Sequence, residues 1–113
     1  MRQAVLDAVP ADATVLVVSR GDDQLLHLDG RSAWHFPRSD DGAYAGHHPA
    51  DSEEAIAWLE AQRAAGAEYI VFPATGIWWL EHYEGLRRHL DGSYGRRFAD
   101  LQTCVIFDLV GGA

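Results

Sequence analysis

Lysine is absent from this chain, and cysteine occurs once, as Cys104. Without lysine, the chain cannot perform Schiff-base chemistry or lysine-assisted phosphoryl transfer. A single cysteine excludes an intramolecular disulfide and a paired-cysteine metal knuckle. Because the amino terminus also lacks a signal-peptide core, we expect a cytoplasmic protein in a reducing compartment.

Long apolar runs and positive charge are scarce as well. The longest apolar runs, 13–19 and 69–72, are much shorter than the roughly 20 residues that a membrane-spanning helix needs. Seventeen acidic residues against nine basic ones give a formal net charge of -8. This charge repels phosphate backbones and anionic lipids, so neither nucleic acid nor a membrane is an expected partner.

The remaining composition is that of an ordinary globular domain. Of the 113 residues, 48% are apolar and 23% are charged, and a chain of this length can bury about two-thirds of its unfolded surface. We therefore expect one domain that spans residues 1–113.

Periodicity and turn residues predict an alternation of helices and strands. Asp51 and Glu54 have capping-box spacing, and Gly66 lies where a helix carboxyl cap is expected. Residues 22–28 are predicted to form either a short helix, which we favour, or the return arm of a hairpin. The other predicted helices are 3–9, 51–66 and 75–90. The predicted strands are 14–19, 32–36 and 68–72, and the segments 97–100 and 102–109 supply one or two more.

This alternation predicts the fold class. Strands separated by helices form βαβ units, so we expect an α/β fold, namely a small Rossmann-like layered domain. Its parallel or mixed sheet would have four to five strands with helices on its faces. Ligands of such sheets bind outside the carboxyl ends of the strands, where the loops meet. The segments expected at that edge are 19–23, 35–50 and 73–78.

Carboxylates and histidines at this edge are candidates for acid–base chemistry. Asp22 and Asp23 follow a buried strand and could act on a proton or hold a cation, although capping a helix is the more ordinary role. Among six histidines, we select His35 and His82 as possible acid–base residues, with the catalytic residues unknown. Because no metal-ligand spacing is present, we expect neither a metal site nor a cofactor.

The pair Trp78–Trp79 is informative because adjacent helical positions point about 100° apart. Trp79 belongs to the apolar stripe that continues through Tyr83, Leu86 and Leu90. Trp78 is then directed toward the loop edge or a second surface, where it could stack on a ligand, although packing of both indoles is the alternative. The candidate residues for ligand or partner binding are Arg20, Phe36, Arg38, Tyr44, His47, His48, Thr75 and Trp78.

Three stretches of the sequence carry a family resemblance: VLVVSRGDD, AWHFPRSDDGAYAGHHPADSEEAIAWLEAQRAAGAEYIVFPATGIWWLEHY and CVIFDL. Read together, with the pieces HFP, GxYAGxxPADS and FPATxxWWL, they resemble a bacterial module often attached to family 2 glycosyltransferases and to methyltransferases of cell-surface polysaccharide clusters. The resemblance covers residues 10–109. It implies a biosynthetic setting and transfers no catalytic residue.

From these observations we expect an accessory or ligand- or partner-binding module associated with glycosyl-transfer or related biosynthetic enzymes. Its partner would be a protein or a ligand of the saccharide or nucleotide-sugar type. One alternative is a small enzyme that uses a histidine acid–base and the aspartates at the strand edge. Another alternative is a self-associating domain that forms a homo-oligomer, with Trp78 at the centre of the interface.

Overall fold

The computed structural model describes residues 2–19, 26, 30–36, 49–100 and 102–109. Within these ranges the secondary structure follows the predicted alternation. The helices are α1 (Arg2–Ala8), α2 (Ser52–Ala64), α3 (Trp78–His82) and α4 (Glu84–Ser93), with a 3₁₀ turn at Ala74–Gly76. The strands are β1 (Thr14–Val17), β2 (Ser32–His35), β3 (Tyr69–Pro73), β4 (Gly95–Asp100) and β5 (Cys104–Asp108).

The five strands form one mixed sheet in the order β2-β1-β3-β5-β4. Strand β1 pairs in parallel with β2 and with β3. Strand β5 is antiparallel to both β3 and β4. The predicted α/β class, with a mixed sheet and helices on its faces, is confirmed.

Each face of the sheet has its own apolar core. On one face, Leu16, Phe72 and Phe107 pack with α2, α3 and α4. On the other face, Val15 and Ile106 pack with residues of α1 and its carboxyl end. Neighbouring residues of β5 therefore contribute to opposite cores, as the alternation of a strand requires.

Helix α2 has the capping predicted for it. The side chain of Asp51 accepts a 2.9 Å hydrogen bond from the backbone N–H of Glu54. The Glu54 carboxylate in turn accepts a 3.0 Å hydrogen bond from the backbone N–H of Ala50. Beyond the last turn, Gly66 has a φ of +120°, a conformation that favours glycine.

The prediction of a single helix over 75–90 is wrong. The backbone leaves helical geometry at Tyr83, with φ −103° and ψ 77°, and this residue separates α3 from α4. The N–H of Gly85 donates a 3.1 Å hydrogen bond to Ser52 Oγ of α2. A Cβ on Gly85 would lie 2.7 Å from the Cβ of Ser52. The break thus turns α4 so that it packs closely on α2.

The predicted helix or hairpin arm at 22–28 lies outside the described residues, except for Leu26. This side chain is partly buried in the core on the α1 side of the sheet. In the described part of the chain, every helix is too short or too polar to cross a lipid bilayer.

Candidate functional site at the carboxyl edge of the parallel strands

Leu26, in the connection after β1, and α3, which follows β3, pack on opposite faces of the sheet. After β1, Leu26 packs in the core on the α1 side. After β3, the chain enters α3, whose Trp79 and Leu80 pack in the other core. Adjacent parallel strands whose connections diverge in this way create a crevice at their carboxyl ends, and ligands of α/β sheets bind in such crevices.

Gly76, in the turn after β3, lies very close to Val18 at the end of β1. A Cβ at this position would lie 3.0 Å from Val18 Cγ1 and 3.1 Å from the Val18 carbonyl oxygen. The backbone of Val18 is itself held by a 3.0 Å hydrogen bond from its N–H to the Val71 carbonyl. Glycine therefore allows the turn after β3 to pack directly on the end of β1.

A buried polar pair lies at the ends of β1 and β2. Ser19 Oγ is 2.5 Å from His35 Nδ1, and the two residues are 1% and 6% exposed. The parallel register that pairs Val17 with His35 brings the residues that follow β1 next to the end of β2. The pair provides a hydroxyl and an imidazole that can exchange a proton or hold a polar ligand atom.

Sequence reasoning selected His35 and missed Ser19. The available signal was positional, because Ser19 is the first polar side chain after the apolar run of β1 and His35 is the last residue of β2. Two parallel neighbouring strands bring such residues to the same edge. The sequence alone does not show that these two strands are neighbours, so the pairing could not be derived from it.

Beside the crevice, α3 carries a group of stacked aromatic rings. Trp79 is 1% exposed, and its ring centroid lies 5.8 Å from that of Phe36. Trp78 is half-buried and lies 6.1 Å from Trp79 and 5.7 Å from the imidazole of His82. Trp79 is thus the core tryptophan of the pair, as predicted, and Trp78 retains exposed surface.

The other described candidates occupy different environments. Phe36 is fully buried, so it is a core residue beneath the edge rather than an exposed stacking surface. Thr75 and His82 are exposed, and the His82 ring packs edge-on against Tyr83 at 4.7 Å. Among the described residues, the structure brings Trp78 and His82 together, and it joins His35 to Ser19 instead.

Seven predicted site residues lie outside the described residues, so their positions stay predictions. The segment 37–48, which carries several of them, connects Phe36 to Pro49. The carbonyl of Pro49 accepts a 2.6 Å hydrogen bond from Tyr83 Oη. Trp79 of α3 contacts Phe36, and Tyr83, the residue that follows α3, contacts Pro49, so aromatic residues of this region contact both ends of the segment. The seven residues are Arg20, Asp22, Asp23, Arg38, Tyr44, His47 and His48.

Electrostatics support a donor role for the Tyr83 hydroxyl. Burial, and then the negative charge of Glu54, raise the pKa of Tyr83 above its ordinary value of 10.0. The hydroxyl therefore keeps its proton at neutral pH. Within the described ranges, no group of three or more His, Cys, Asp or Glu side chains is arranged to hold a metal ion.

Comparison of the chain with models of protein families, with curated proteins and with solved structures found no match.

Proposed function

We propose that this chain is a binding module that holds a sugar or nucleotide-sugar ligand at the crevice between the carboxyl ends of β1 and β3. The observation that carries this proposal is the buried Ser19–His35 pair, which lies at the carboxyl ends of β1 and β2, on the side of β1 opposite to β3. A polar pair buried at such a point can hydrogen-bond a ligand in water-poor surroundings, where these bonds are strong.

The aromatic rings of α3 supply the second requirement of a saccharide site. Sugar rings stack on exposed indole faces through their C–H groups, and polar groups then fix their orientation. Trp78 is half-buried and packs on Trp79 and His82, so its indole is supported from behind. Because side chains held in this way lose little entropy on binding, Trp78 is suited to act as the stacking surface.

The resemblance noted in the sequence supports the biological setting. Modules of that type accompany glycosyltransferases and methyltransferases, so we propose that this chain assists a glycosyl-transfer or related biosynthetic enzyme. The net charge of -8 favours a ligand whose recognised part is neutral, or a partner protein with a basic surface.

The pairing of Ser19 with His35 also supports a second function, that of a small enzyme. In that case His35 would accept and return a proton during the reaction, with Ser19 as a positioning residue. Such a role requires turnover that disappears in His35→Gln while ligand binding persists.

A titration with nucleotide sugars tests the first function. A ligand at 100 times its dissociation constant adds about 2.7 kcal/mol of stability, which raises the melting temperature of a domain this size on the order of 8 °C. We expect Trp78→Ala and Ser19→Ala to weaken binding about tenfold or more. Trp58→Phe, a tryptophan change on α2, serves as the control and should leave affinity unchanged.

The outcomes separate the alternatives. If no nucleotide sugar or simple sugar raises the melting temperature, the small-molecule proposal is overturned. If Trp78→Ala then lowers the mass measured by light scattering, the face around Trp78 is an interface between copies. If the mass is unchanged and a partner enzyme is retained by the wild type only, the module binds protein.

A further inference from the structure

A cavity of about 500 Å³ lies away from the Ser19–His35 pair, between the helices α3 and α4 and the strands β4 and β5. Ile77, Leu80 and Val105 form its apolar surface. Its charged lining is made of two arginines, Arg87 and Arg96, and two glutamates, Glu81 and Glu84. Glu84 pairs with Arg88 at 3.9 Å. This volume is in the range of small-molecule sites, which combine apolar walls with a few placed polar groups.

An irregularity in β4 directs Arg96 into this cavity. Arg96 pairs with Phe107 and Ala99 pairs with Val105, although the regular alternation of a strand would send Arg96 and Ala99 to opposite faces. The register shift between Arg96 and Phe98 adds the residue that brings both to the helix-covered face. The bulge therefore provides a cation where an unbroken strand would not.

The Arg96 guanidinium is held in position from two sides. Its Cζ atom lies 5.3 Å from the ring centroid of Phe107, and its Nη2 atom lies 2.8 Å from Asp91 Oδ1. A guanidinium supported by an aromatic face and one carboxylate retains N–H groups for a further acceptor. Arg96 is thus oriented before any ligand arrives.

Two other charges of the cavity, Arg87 and Glu81, form no ion pair with any residue in the described part of the chain. Both side chains are exposed, and both line the cavity. An anionic ligand would be repelled by Glu81 and by the net charge of -8. A cationic ligand would be repelled by the two arginines, so the charges match a ligand that carries both signs.

We propose that this cavity binds a free α-amino acid with an apolar side chain. The carboxylate would pair with Arg87 and Arg96, because guanidinium groups bind carboxylates through paired N–H donors. The ammonium would pair with Glu81. The apolar side chain would pack on Ile77, which is partly exposed, with the buried Leu80 and Val105 behind it. This site is independent of the sugar-binding crevice proposed above.

The test is a titration of the full chain with L-leucine, followed by calorimetry and by amide NMR shifts. Two analogues provide matched probes: 4-methylpentanoate lacks the ammonium, and isopentylamine lacks the carboxylate. We expect saturable millimolar or tighter binding of L-leucine, with shifts that centre on Leu80 and Val105. Each analogue should bind about tenfold more weakly, as expected from the loss of one charge-assisted contact.

Variants link the effect to the cavity. Arg87→Gln and Glu81→Gln should each weaken L-leucine binding about tenfold. Glu53→Gln is the matched control for Glu81→Gln, because Glu53 is an exposed glutamate of α2 that does not line the cavity, so this change should leave binding intact. The proposal is overturned if L-leucine does not saturate, if either analogue binds equally well, or if Glu53→Gln and Glu81→Gln have the same effect. None of these changes alters Ser19 or Trp78, so failure here leaves the sugar titration interpretable.

Discussion

The hydroxyl of Tyr83 donates a 2.6 Å hydrogen bond to the backbone carbonyl of Pro49, 34 residues earlier in the chain. The same tyrosine ends α3, and its ring packs on Trp79 with centroids 5.3 Å apart. One side chain thus connects the junction of α3 and α4 to the residues that lead into α2. Because both partners are buried, the bond is protected from competition by water.

Tyr83→Phe should destabilise the protein by about 1–3 kcal/mol, because it leaves the buried Pro49 carbonyl without this donor. The phenyl ring can still pack on Trp79, so the decrease in the free energy of unfolding measures the contribution of the hydrogen bond. Urea unfolding of both proteins measures the difference. An equal free energy of unfolding would contradict a stabilising role for the bond.

Gly76→Ala should also destabilise the protein, by about 1–3 kcal/mol, because its Cβ would be 3.0 Å from the side chain of Val18 and 3.1 Å from its carbonyl oxygen. Gly92→Ala is the matched control. Nothing lies within 4 Å of a Cβ at Gly92, and alanine in a helix is favoured over glycine by about 1 kcal/mol. The melting temperature should therefore fall in Gly76→Ala and rise in Gly92→Ala. A shift in the same direction for both variants would argue against tight packing at Gly76.

Tyr94 should make stability depend on pH in the alkaline range. Burial, and then its hydrogen bond to the Glu60 carboxylate, raise the pKa of Tyr94 from 10.0 to about 12. The folded state therefore favours the protonated hydroxyl, and this contribution is complete below pH 10 and is lost as the pH rises toward 12. The difference in unfolding free energy between wild type and Tyr94→Phe should shrink over that window. A difference independent of pH would refute the assignment.

Glu60 should make stability depend on pH in the acidic range, where the free energy of unfolding falls as the pH falls. Burial opposes its ionisation, but hydrogen bonds from His89 and Tyr94 outweigh burial and lower the pKa of Glu60 below 4.5. A lowered pKa contributes stability above pH 4.5 that is lost as the pH falls through the folded-state value. Glu60→Gln should therefore flatten the decline of stability on acidification, as measured by urea titrations at a series of pH values. Glu53→Gln, an exposed change on the same helix, should leave the decline as it is in the wild type.

Arg31 should stabilise the carboxyl end of α1. Its Nε and Nη2 atoms donate to the carbonyl oxygen of Val9 at 3.0 and 2.5 Å, and Nη2 also donates to that of Leu6 at 3.2 Å. A cation that bonds these carbonyls also interacts favourably with the helix dipole. Arg31→Ala should lower the free energy of unfolding by about 1–2 kcal/mol. Arg31→Lys should restore only part of this, because a lysine ammonium lacks the planar guanidinium that bonds both carbonyls at once. Hydrogen exchange of the α1 amides would reveal the loss, and unchanged exchange would contradict it.

Local patterns predicted much of this fold. The capping of α2 by Asp51 and Glu54 depends on residues close in sequence, and its helix was predicted accordingly. Likewise, alternation along β5 sends Val105 and Ile106 to opposite cores, a consequence of strand geometry alone.

The features that were missed depend on residues far apart in sequence. The break at Tyr83 coincides with contacts to Pro49 and Ser52, which no helical periodicity reveals. The partnership of Ser19 with His35 requires that β1 and β2 be neighbours, and this was not known from the sequence. The cavity beside Arg96 was also missed, because a bulge reverses the face that simple alternation assigns to this residue.

The mixed strand order has a consequence for the folding pathway. Strands β4 and β5 pair across a short connection, with Asp100 opposite Cys104. The contact of β1 with β3 instead requires closure of a long loop, since the Thr14–Glu68 hydrogen bond spans 54 residues. Because loop-closure entropy rises with loop length, we expect the carboxyl-terminal hairpin to form early. The crevice between β1 and β3 would then be assembled late, and it would be among the first parts lost when the protein begins to unfold.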